Sequence, residues 1–172
     1  MKPVVIARGF APIATKASRV LVLGSMPGKK SLDARQYYAH PHNAFWKIMG
    51  RMFGAGPDLA YEERVAALAR AGVAVWDVLE SCSREGSLDA SIDEASIVVN
   101  DFRAFFDAHP GIRHVFFNGA KAEHSFNRYV RTDVDVANLR FTRLPSTSPA
   151  HASIALPQKI KAWCTVAEAL AR

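Results

Sequence analysis

The chain has 172 residues, a length that suits one domain with a sizeable core, so we expect a single domain over residues 1–172. Apolar residues make up 49% and charged residues 22%, which is typical of a globular protein and argues against disorder. A formal charge of +6 favours a polyanionic partner such as nucleic acid. No apolar run approaches the roughly 18 residues of a membrane span or suits a signal peptide, so we expect a cytoplasmic protein with no membrane partner.

The two cysteines, Cys82 and Cys164, lie far apart and form no CxxC pair. Neither an iron–sulfur cluster nor a thiolate zinc site can be built from them. The pattern indicates free thiols in a reducing compartment, and we expect neither a metal nor a cofactor.

The first half of the chain predicts two buried strands and two helices. Residues 1–18, broken by Gly9 and Pro12, predict an irregular segment. Residues 19–23 form a short apolar run without alternation, which predicts a strand covered on both faces. Apolar positions at helical spacing predict a helix from Asn43 to Gly54. A second helix over residues 61–71 and a second strand over residues 73–78 follow.

The second half predicts two more strands. Residues 80–96 are polar and predict a loop that leads into a helix over residues 98–107. The remaining elements alternate as strand, helix, strand and helix, over residues 114–117, 120–130, 140–144 and 157–170. Strands that alternate with helices predict an α/β fold with three layers, α/β/α, around a central parallel four-stranded sheet.

The carboxyl ends of these strands should meet at one edge of the sheet, where open α/β folds bind ligands. Residues 24–28, which we call the Gly-Pro turn, follow the first strand and include Gly24, Ser25 and Met26. Their backbone N–H groups could approach a phosphate or a carbonyl-bearing base. The turn lacks the Lys-Ser/Thr of a P-loop and the third glycine of a dinucleotide fingerprint, so a plain connecting turn stays open.

Two tyrosines, two histidines and a proline stand directly before the helix that follows the turn, in the run YYAHPHNAFW. We expect Phe45 and Trp46 in the core, and Tyr38, in the irregular part, as an aromatic platform. His40 and His42 have no third ligand nearby and make a poor metal site.

This run, together with the sequence GSMPG, resembles the uracil-DNA glycosylase superfamily and particularly its mismatch-specific branch. That branch carries a Gly-x-Asn-Pro-Gly turn and a Phe-Ala-His-Pro-x-Asn-x-Phe-Trp segment. Residues 144–149, LPSTSP, resemble the second motif of the superfamily, a Pro-Ser loop after the last strand. The resemblance spans residues 20–151 and implies a uracil-DNA glycosylase-like fold.

Two positions depart from that pattern. Met26 stands where the branch has Asn and other members have Asp, and Leu144 stands where many members have His. With Asn43 retained, the chain resembles the hypoxanthine-DNA glycosylase family of the same superfamily, in which the Asn of the aromatic segment is thought to be catalytic. The resemblance therefore implies that Asn43 orients the attacking water.

The resemblance also implies roles for the other strand ends. Tyr38 would stack on a flipped base, while Asn118 and backbone amides around Ser25 would bind its carbonyl edge. Asp77 occupies the recognition position, and a capping or loop-stabilising Asp is the alternative. The loop after the last strand would contact phosphates and insert into the stack, unless it is a plain surface turn; its candidate residues are Pro145, Ser146, Thr147, Ser148 and His151. Phosphates could also pair with Lys29, Lys30, Lys121 and Arg143.

The sequence thus predicts a monomeric, monofunctional DNA glycosylase that removes hypoxanthine, and uracil as a further base, from double-stranded DNA. A G:U or G:T mismatch-specific uracil/thymine DNA glycosylase is the alternative within the superfamily. A catalytically inactive DNA- or nucleotide-binding module on the same fold is the non-enzymatic alternative. A small-ester hydrolase using Ser25 or Ser148 with His151 lacks the Gly-x-Ser-x-Gly elbow.

Overall fold

The computed structural model describes residues 3–172, so the first two residues of the predicted N-terminal segment lie outside the described part. The strands are β1 (Ile6–Arg8), β2 (Val20–Gly24), β3 (Val73–Asp77), β4 (Leu79–Ser83), β5 (Val98–Val99), β6 (His114–Asn118) and β7 (Arg140–Leu144). The helices are α1 (Lys29–Ala34), α2 (Phe45–Phe53), α3 (Tyr61–Ala71), α4 (Phe102–Ala108), α5 (Ala120–Tyr129) and α6 (Leu156–Leu170). None of the helices within residues 3–172 is both long enough and apolar enough to span a bilayer.

Four of the strands form the predicted parallel sheet, in the order β3-β2-β6-β7. Val20 lies opposite both Val73 and His114, so these strands begin level with one another. They also end level, because Gly24 pairs with Asp77, and Asn118 pairs with Leu144. The register therefore brings the four strand ends to one edge.

Alternate residues of β2 face opposite helical layers, although the whole strand is buried. Leu21 and Leu23 pack with the aromatic residues of α4 and α5. Val20 and Val22 pack with apolar residues of α2, α3 and α6. Because helices cover both faces of the sheet, the apolar run of β2 shows no alternation. Burying one such side chain contributes about 1.5–3 kcal/mol. The predicted three-layer α/β/α architecture is confirmed.

A second sheet of three antiparallel strands, in the order β1-β4-β5, was not predicted. The prediction of an irregular segment over residues 1–18 was wrong at β1, and the prediction of a loop over residues 80–96 was wrong at β4. Ala7 pairs with Cys82, a contact between distant parts of the chain that local periodicity does not reveal. Because residues 98–99 pair with β4, the helix predicted from residue 98 begins only at Phe102.

Helix α1 was also not predicted. Its six residues carry no apolar periodicity, and only Ser31 is buried. It ends at Arg35, which adopts the left-handed conformation with φ 54°, where glycine is the usual signal. Both Cys82 and Cys164 are free thiols, as expected.

Candidate active site

Backbone hydrogen bonds hold the Gly-Pro turn against the junction between β3 and β4. Val78 N donates to Gly24 O at 2.9 Å, and Leu79 N donates to Ser25 O at 3.1 Å. Ser25 Oγ donates to Asp89 Oδ1 at 2.6 Å. The Met26 side chain lies in the hydrophobic cluster on the α4 and α5 side of the sheet. It therefore fills the core and brings no polar group to the turn.

Gly24 lies directly beneath two of the predicted site residues. A Cβ at this position would lie 2.5 Å from Asp77 Oδ1 and 3.0 Å from Tyr38 Oη. A Cβ does not approach an oxygen to 2.5 Å in proteins, so a larger residue at this position would force Asp77 to shift. The structure thus brings Gly24, Asp77 and Tyr38 together, as the sequence predicted.

Asp77 is a buried carboxyl group with unsatisfied hydrogen-bonding capacity. Its residue is 4% exposed, and Oδ2 has no hydrogen-bond partner in the described part of the chain. The pKa of Asp77 is raised to about 7, chiefly by burial and then by the charge of Asp89, while Arg84 acts to lower it. Near neutral pH this group can therefore hold or release a proton.

Tyr38 extends an aromatic stack from the core to the turn. Its ring lies on that of Phe45, with centroids 4.0 Å apart and planes 25° apart. Tyr38 has φ 54°, a conformation that costs a non-glycine residue about 1–2 kcal/mol. Burial raises the pKa of Tyr38, so its hydroxyl stays protonated. Phe45 and Trp46 are buried, which confirms their predicted place in the core.

Asn43 lies at the start of α2. Its Oδ1 accepts a hydrogen bond from Phe45 N at 2.9 Å, and its own N donates to His40 O at 2.9 Å. The amide oxygen thus satisfies one free N–H of the first helical turn and retains a second acceptor position. His40 Nδ1 accepts from His42 N at 3.0 Å, and within residues 3–172 no group of three metal-binding side chains occurs.

Asn118 joins the end of β6 to residues 145–151, which we call the Pro-Ser loop. Its Nδ2 donates to Thr147 Oγ1 at 2.9 Å and to Tyr38 Oη at 3.2 Å, and its Oδ1 accepts from Thr147 N at 2.9 Å. Thr147 O also accepts from Ala44 N at 3.0 Å. Thr147 is consequently buried, with 1% exposure, although it belongs to the loop that the sequence assigned to DNA contact.

The other residues of the Pro-Ser loop reach the surface at least in part. Pro145 O accepts from Trp163 Nε1 at 3.0 Å, and Ser146 Oγ accepts from Ser148 N at 3.1 Å. The exposed His151 is held through its backbone oxygen, which accepts from Lys159 Nζ at 2.7 Å. The loop is therefore anchored at both ends to α6.

Residues 84–89, which we call the 84–89 segment, also contact the Gly-Pro turn, and sequence reasoning missed this. Arg84 is buried, and its Nη2 donates to Pro27 O at 2.5 Å. Ser87 Oγ accepts from Lys29 N at 2.8 Å. The segment reads as a polar loop, and no local pattern showed where it would fold.

Three of the four basic rim residues have a carboxylate partner in the protein. Lys29 pairs with Asp33 at 2.8 Å, Lys121 pairs with Glu94, and Arg143 pairs with Glu123 at 3.5 Å. The exposed Lys29–Asp33 pair contributes about 0–1 kcal/mol and would not prevent a phosphate from competing, whereas Lys121 is partly buried. Lys30 is exposed.

The cluster of Gly24, Tyr38 and Asp77 is closely packed, and Asp77 Oδ2 is shielded from solvent. An open cavity of about 460 Å³ lies instead at the opposite edge of the sheet, among Arg19, Arg113 and Arg140, and shares no residue with the cluster. A ligand could reach Asp77 Oδ2 only if some of the groups around it moved.

Comparison with known proteins gives the family. Residues 12–167 match the family described as the uracil DNA glycosylase superfamily. A protein named hypoxanthine DNA glycosylase from Methanosarcina acetivorans is 38% identical over 118 residues, covering 68% of this chain and 73% of the relative. Another of that name from Methanosarcina barkeri is 37% identical over 116 residues, covering 67% and 72%. A solution NMR structure of a candidate uracil DNA glycosylase from Methanosarcina acetivorans matches with a TM-score of 0.80 at 31% identity, over 98% of this chain and 100% of that one. The chain belongs to the uracil DNA glycosylase superfamily.

Proposed function

We propose that this protein is a monofunctional DNA glycosylase that removes hypoxanthine, and uracil as a second base, from double-stranded DNA. The observation that carries the proposal is the buried, unsatisfied Asp77 carboxyl group beside Gly24 and Tyr38, at the sheet edge where ligands bind. The two relatives named hypoxanthine DNA glycosylase support the same choice of base.

Asp77 suits the edge that deamination creates on a base. Deamination of adenine or cytosine leaves a ring N–H beside a carbonyl group. A neutral carboxyl group can accept from that N–H and donate to that carbonyl oxygen at the same time. The free Oδ2 of Asp77 provides the hydrogen-bonding capacity for this pair.

The neutral form of Asp77 also suits the chemistry. Cleavage of the N-glycosidic bond places negative charge on the departing base, and the catalyst must stabilise that charge. An ionised Asp77 would repel it, whereas a neutral carboxyl group that donates a hydrogen bond would stabilise it. Backbone N–H groups around Ser25 would add to that stabilisation, as the sequence predicted.

Asn43 would direct the water. Its amide oxygen already accepts from Phe45 N, which holds the side chain in place, and its second acceptor position can orient an attacking water molecule. Met26 is buried in the core and has no polar atom for this task. The sequence offers no obvious lysine nucleophile at this rim, and we propose simple hydrolysis to an abasic site.

Tyr38 would stack on the flipped base, and the exposed part of the Pro-Ser loop would contact the strand beside it. We also propose that the chain acts as one domain and as a monomer, because one rim is enough to reach a duplex. A cytoplasmic location stays a prediction.

Incubation with duplexes that contain deoxyinosine, deoxyuridine, deoxyxanthosine or a G:T mismatch, followed by alkali, tests the proposal. We expect alkali-dependent cleavage, fastest at deoxyinosine. Cleavage without alkali would contradict monofunctional hydrolysis, and faster cleavage at G:T or deoxyuridine would favour the mismatch-specific alternative. Binding that leaves every base attached would identify an inactive binding module.

A further inference from the structure

The open cavity at the opposite edge of the sheet from the candidate site is lined by arginines. Arg19 and Arg113 directly precede β2 and β6, and Arg140 is the first residue of β7, the next strand in the sheet. Arg113 N donates to Arg19 O at 3.0 Å, and Arg140 N donates to Arg113 O at 2.9 Å. Arg172, beyond the end of α6, also lines the cavity. The fold thus gathers four positive charges around one space.

The charge of this lining is not neutralised within the protein. Glu168 is its one acidic residue. Among the residues that the structure describes, none of the four arginines forms an ion pair with an aspartate or glutamate side chain. Like charges on neighbouring strands destabilise a sheet. The row of arginines therefore has a modest cost in the free protein, and a bound anion would remove it.

The four guanidinium groups differ in what they already bind. Arg19 donates to Leu170 O at 2.7 Å and to Arg172 O at 2.6 Å, so it holds the end of α6. Arg113 Nη1 donates to a backbone oxygen of the preceding loop at 2.8 Å. Within residues 3–172, the side chains of Arg140 and Arg172 donate no hydrogen bond. These two arginines keep all their N–H groups for a ligand.

His114 lies at the same cavity, and its titration reflects the charge around it. Its ring stacks on that of Phe116 with centroids 4.0 Å apart, and its Nε2 lies 2.8 Å from Thr142 Oγ1. The pKa of His114 lies below its ordinary value, chiefly because of burial and then because of the charges of Arg140 and Arg172. The positive charge of these arginines therefore acts inside the cavity.

The chemistry and size of the cavity suit a phosphate group on a small molecule. A guanidinium group can donate two parallel hydrogen bonds to phosphate oxygens, so converging arginines match this group. A volume of about 460 Å³ is typical of small-molecule sites. The five-residue strands place the cavity about 16 Å from the candidate site. A duplex held at the candidate site would lie beyond the other edge, which favours a compact ligand here.

We propose that this cavity, between the starts of β2, β6 and β7 and the end of α6, binds a compact phosphate-bearing anion of up to the size of a nucleotide. Arg140 and Arg172 bind the phosphate oxygens, Arg113 adds positive charge, and Arg19 holds α6 in place. The site is separate from the candidate active site, and the inference does not rest on the proposed glycosylase function.

Calorimetric titration of the full chain with inorganic pyrophosphate and with adenosine monophosphate tests the inference. We expect saturable binding of one anion per chain. Arg140→Gln and Arg172→Gln should each weaken it by about tenfold or more, because charge-assisted hydrogen bonds are lost. Both variants should fold normally, because neither side chain donates a hydrogen bond within residues 3–172. Arg51→Gln is the matched control, since Arg51 is exposed on α2 and lies outside the cavity lining, and it should bind like the wild type.

An NMR titration of the His114 ring gives a second measurement at the site itself. The charged groups that line its cavity are the four arginines and Glu168. A bound anion offsets the arginine charges, so the pKa of His114 should rise when pyrophosphate is present. Binding of neither anion, binding that both arginine variants retain, or a pKa of His114 that does not change with a bound anion would each overturn the inference.

An unmodified duplex distinguishes the two sources of phosphate. We expect Arg140→Gln to leave duplex binding within about twofold of the wild type at moderate salt. If Arg140→Gln weakens duplex binding and neither small anion binds, the arginines contact the DNA backbone and the inference is overturned. None of these measurements requires excision, so failure of the proposed glycosylase function would leave this test intact.

Discussion

Asn43 combines a local structural role with the proposed chemical one. Its Oδ1 accepts from Phe45 N, which satisfies an N–H group at the start of α2. Removal of the amide therefore affects both the helix and the water that it would orient. The two roles can be separated by a serine at this position. Its hydroxyl can accept the hydrogen bond from Phe45 N, but it cannot orient the water as the amide would.

We expect Asn43→Ala and Asn43→Ser both to slow single-turnover excision by about 100-fold or more, since each loses the group that orients the water. Only Asn43→Ala should lose about 1 kcal/mol of stability, because serine preserves the capping hydrogen bond. Duplex binding should persist in both variants. Unchanged turnover in Asn43→Ala would remove Asn43 from the mechanism, and normal turnover in Asn43→Ser would leave it a structural role only.

The raised pKa of Asp77 predicts that the excision rate depends on pH. Its pKa is raised to about 7 by burial and by Asp89, against Arg84, with the hydroxyls of Tyr37 and Tyr38 nearby. Because the neutral form pairs with the base, the excision rate should fall as the pH rises through about 7. Asp77→Asn pairs with the same edge at every pH, so it should remain active and lose this fall. A wild-type rate that rises across this range would show that the carboxylate is the active form.

The same shift affects stability. The pKa of Asp77 in the folded protein lies above its ordinary value, so between about pH 4 and pH 7 the folded state holds a proton that the unfolded state lacks. The free energy of unfolding should therefore decrease as the pH rises through this window. Asp77→Asn should flatten that decrease in denaturant unfolding measured at several pH values.

At the scale of elements, the strands of the parallel sheet end in register, and this brings the residues of the candidate site together. Gly24 pairs with Asp77 in register, and this brings the carboxyl group over a residue that has no side chain. Asn118 connects β6 with Tyr38 and Thr147, and both of its amide protons are engaged. The prediction that Asn118 binds the base thus requires one of these hydrogen bonds to be released when the site opens.

Two glycines of the same turn make a paired test of this packing. Gly24→Ala would push a Cβ against Asp77 Oδ1 and Tyr38 Oη, so we expect a loss of about 1–3 kcal/mol in stability and much slower excision. At Gly28 the nearest atoms to a Cβ belong to Ser87, at 3.6 Å, which is an ordinary contact. Gly28→Ala should therefore resemble the wild type in thermal unfolding and in kinetics. Equal behaviour of the two variants would contradict the close packing at Gly24.

At the scale of the whole molecule, the charge of +6 should make DNA binding depend on salt. Lys30 is exposed at the start of α1, beside the turn. If it contacts a phosphate, Lys30→Ala should reduce the slope of log K against log salt by about 0.9. Lys16→Ala should leave the slope unchanged, because Lys16 precedes β2 at the opposite edge of the sheet. A duplex titration over several salt concentrations checks both, and equal slopes would exclude Lys30 from the interface.

The sequence by itself determined the parallel sheet, its covering helices and the edge that carries the motifs. Those features follow from short-range patterns: apolar runs, helical spacing and glycine or proline at the ends of elements. It located β7 and α3 to the residue, and it placed Tyr38, Asn43 and Asp77 near one edge.

Only the tertiary structure decided the second sheet, the packing of the 84–89 segment on the turn, the burial of Thr147 and the titration of Asp77. Each of these depends on contacts between residues far apart in the chain: Ala7 with Cys82, Ser25 with Asp89, and Asn118 with Thr147. Backbone pairing and desolvation are set by whichever atoms the complete fold brings close. A local pattern contains no information about those atoms, which is why the carboxyl group could be located from the sequence and its protonation could not.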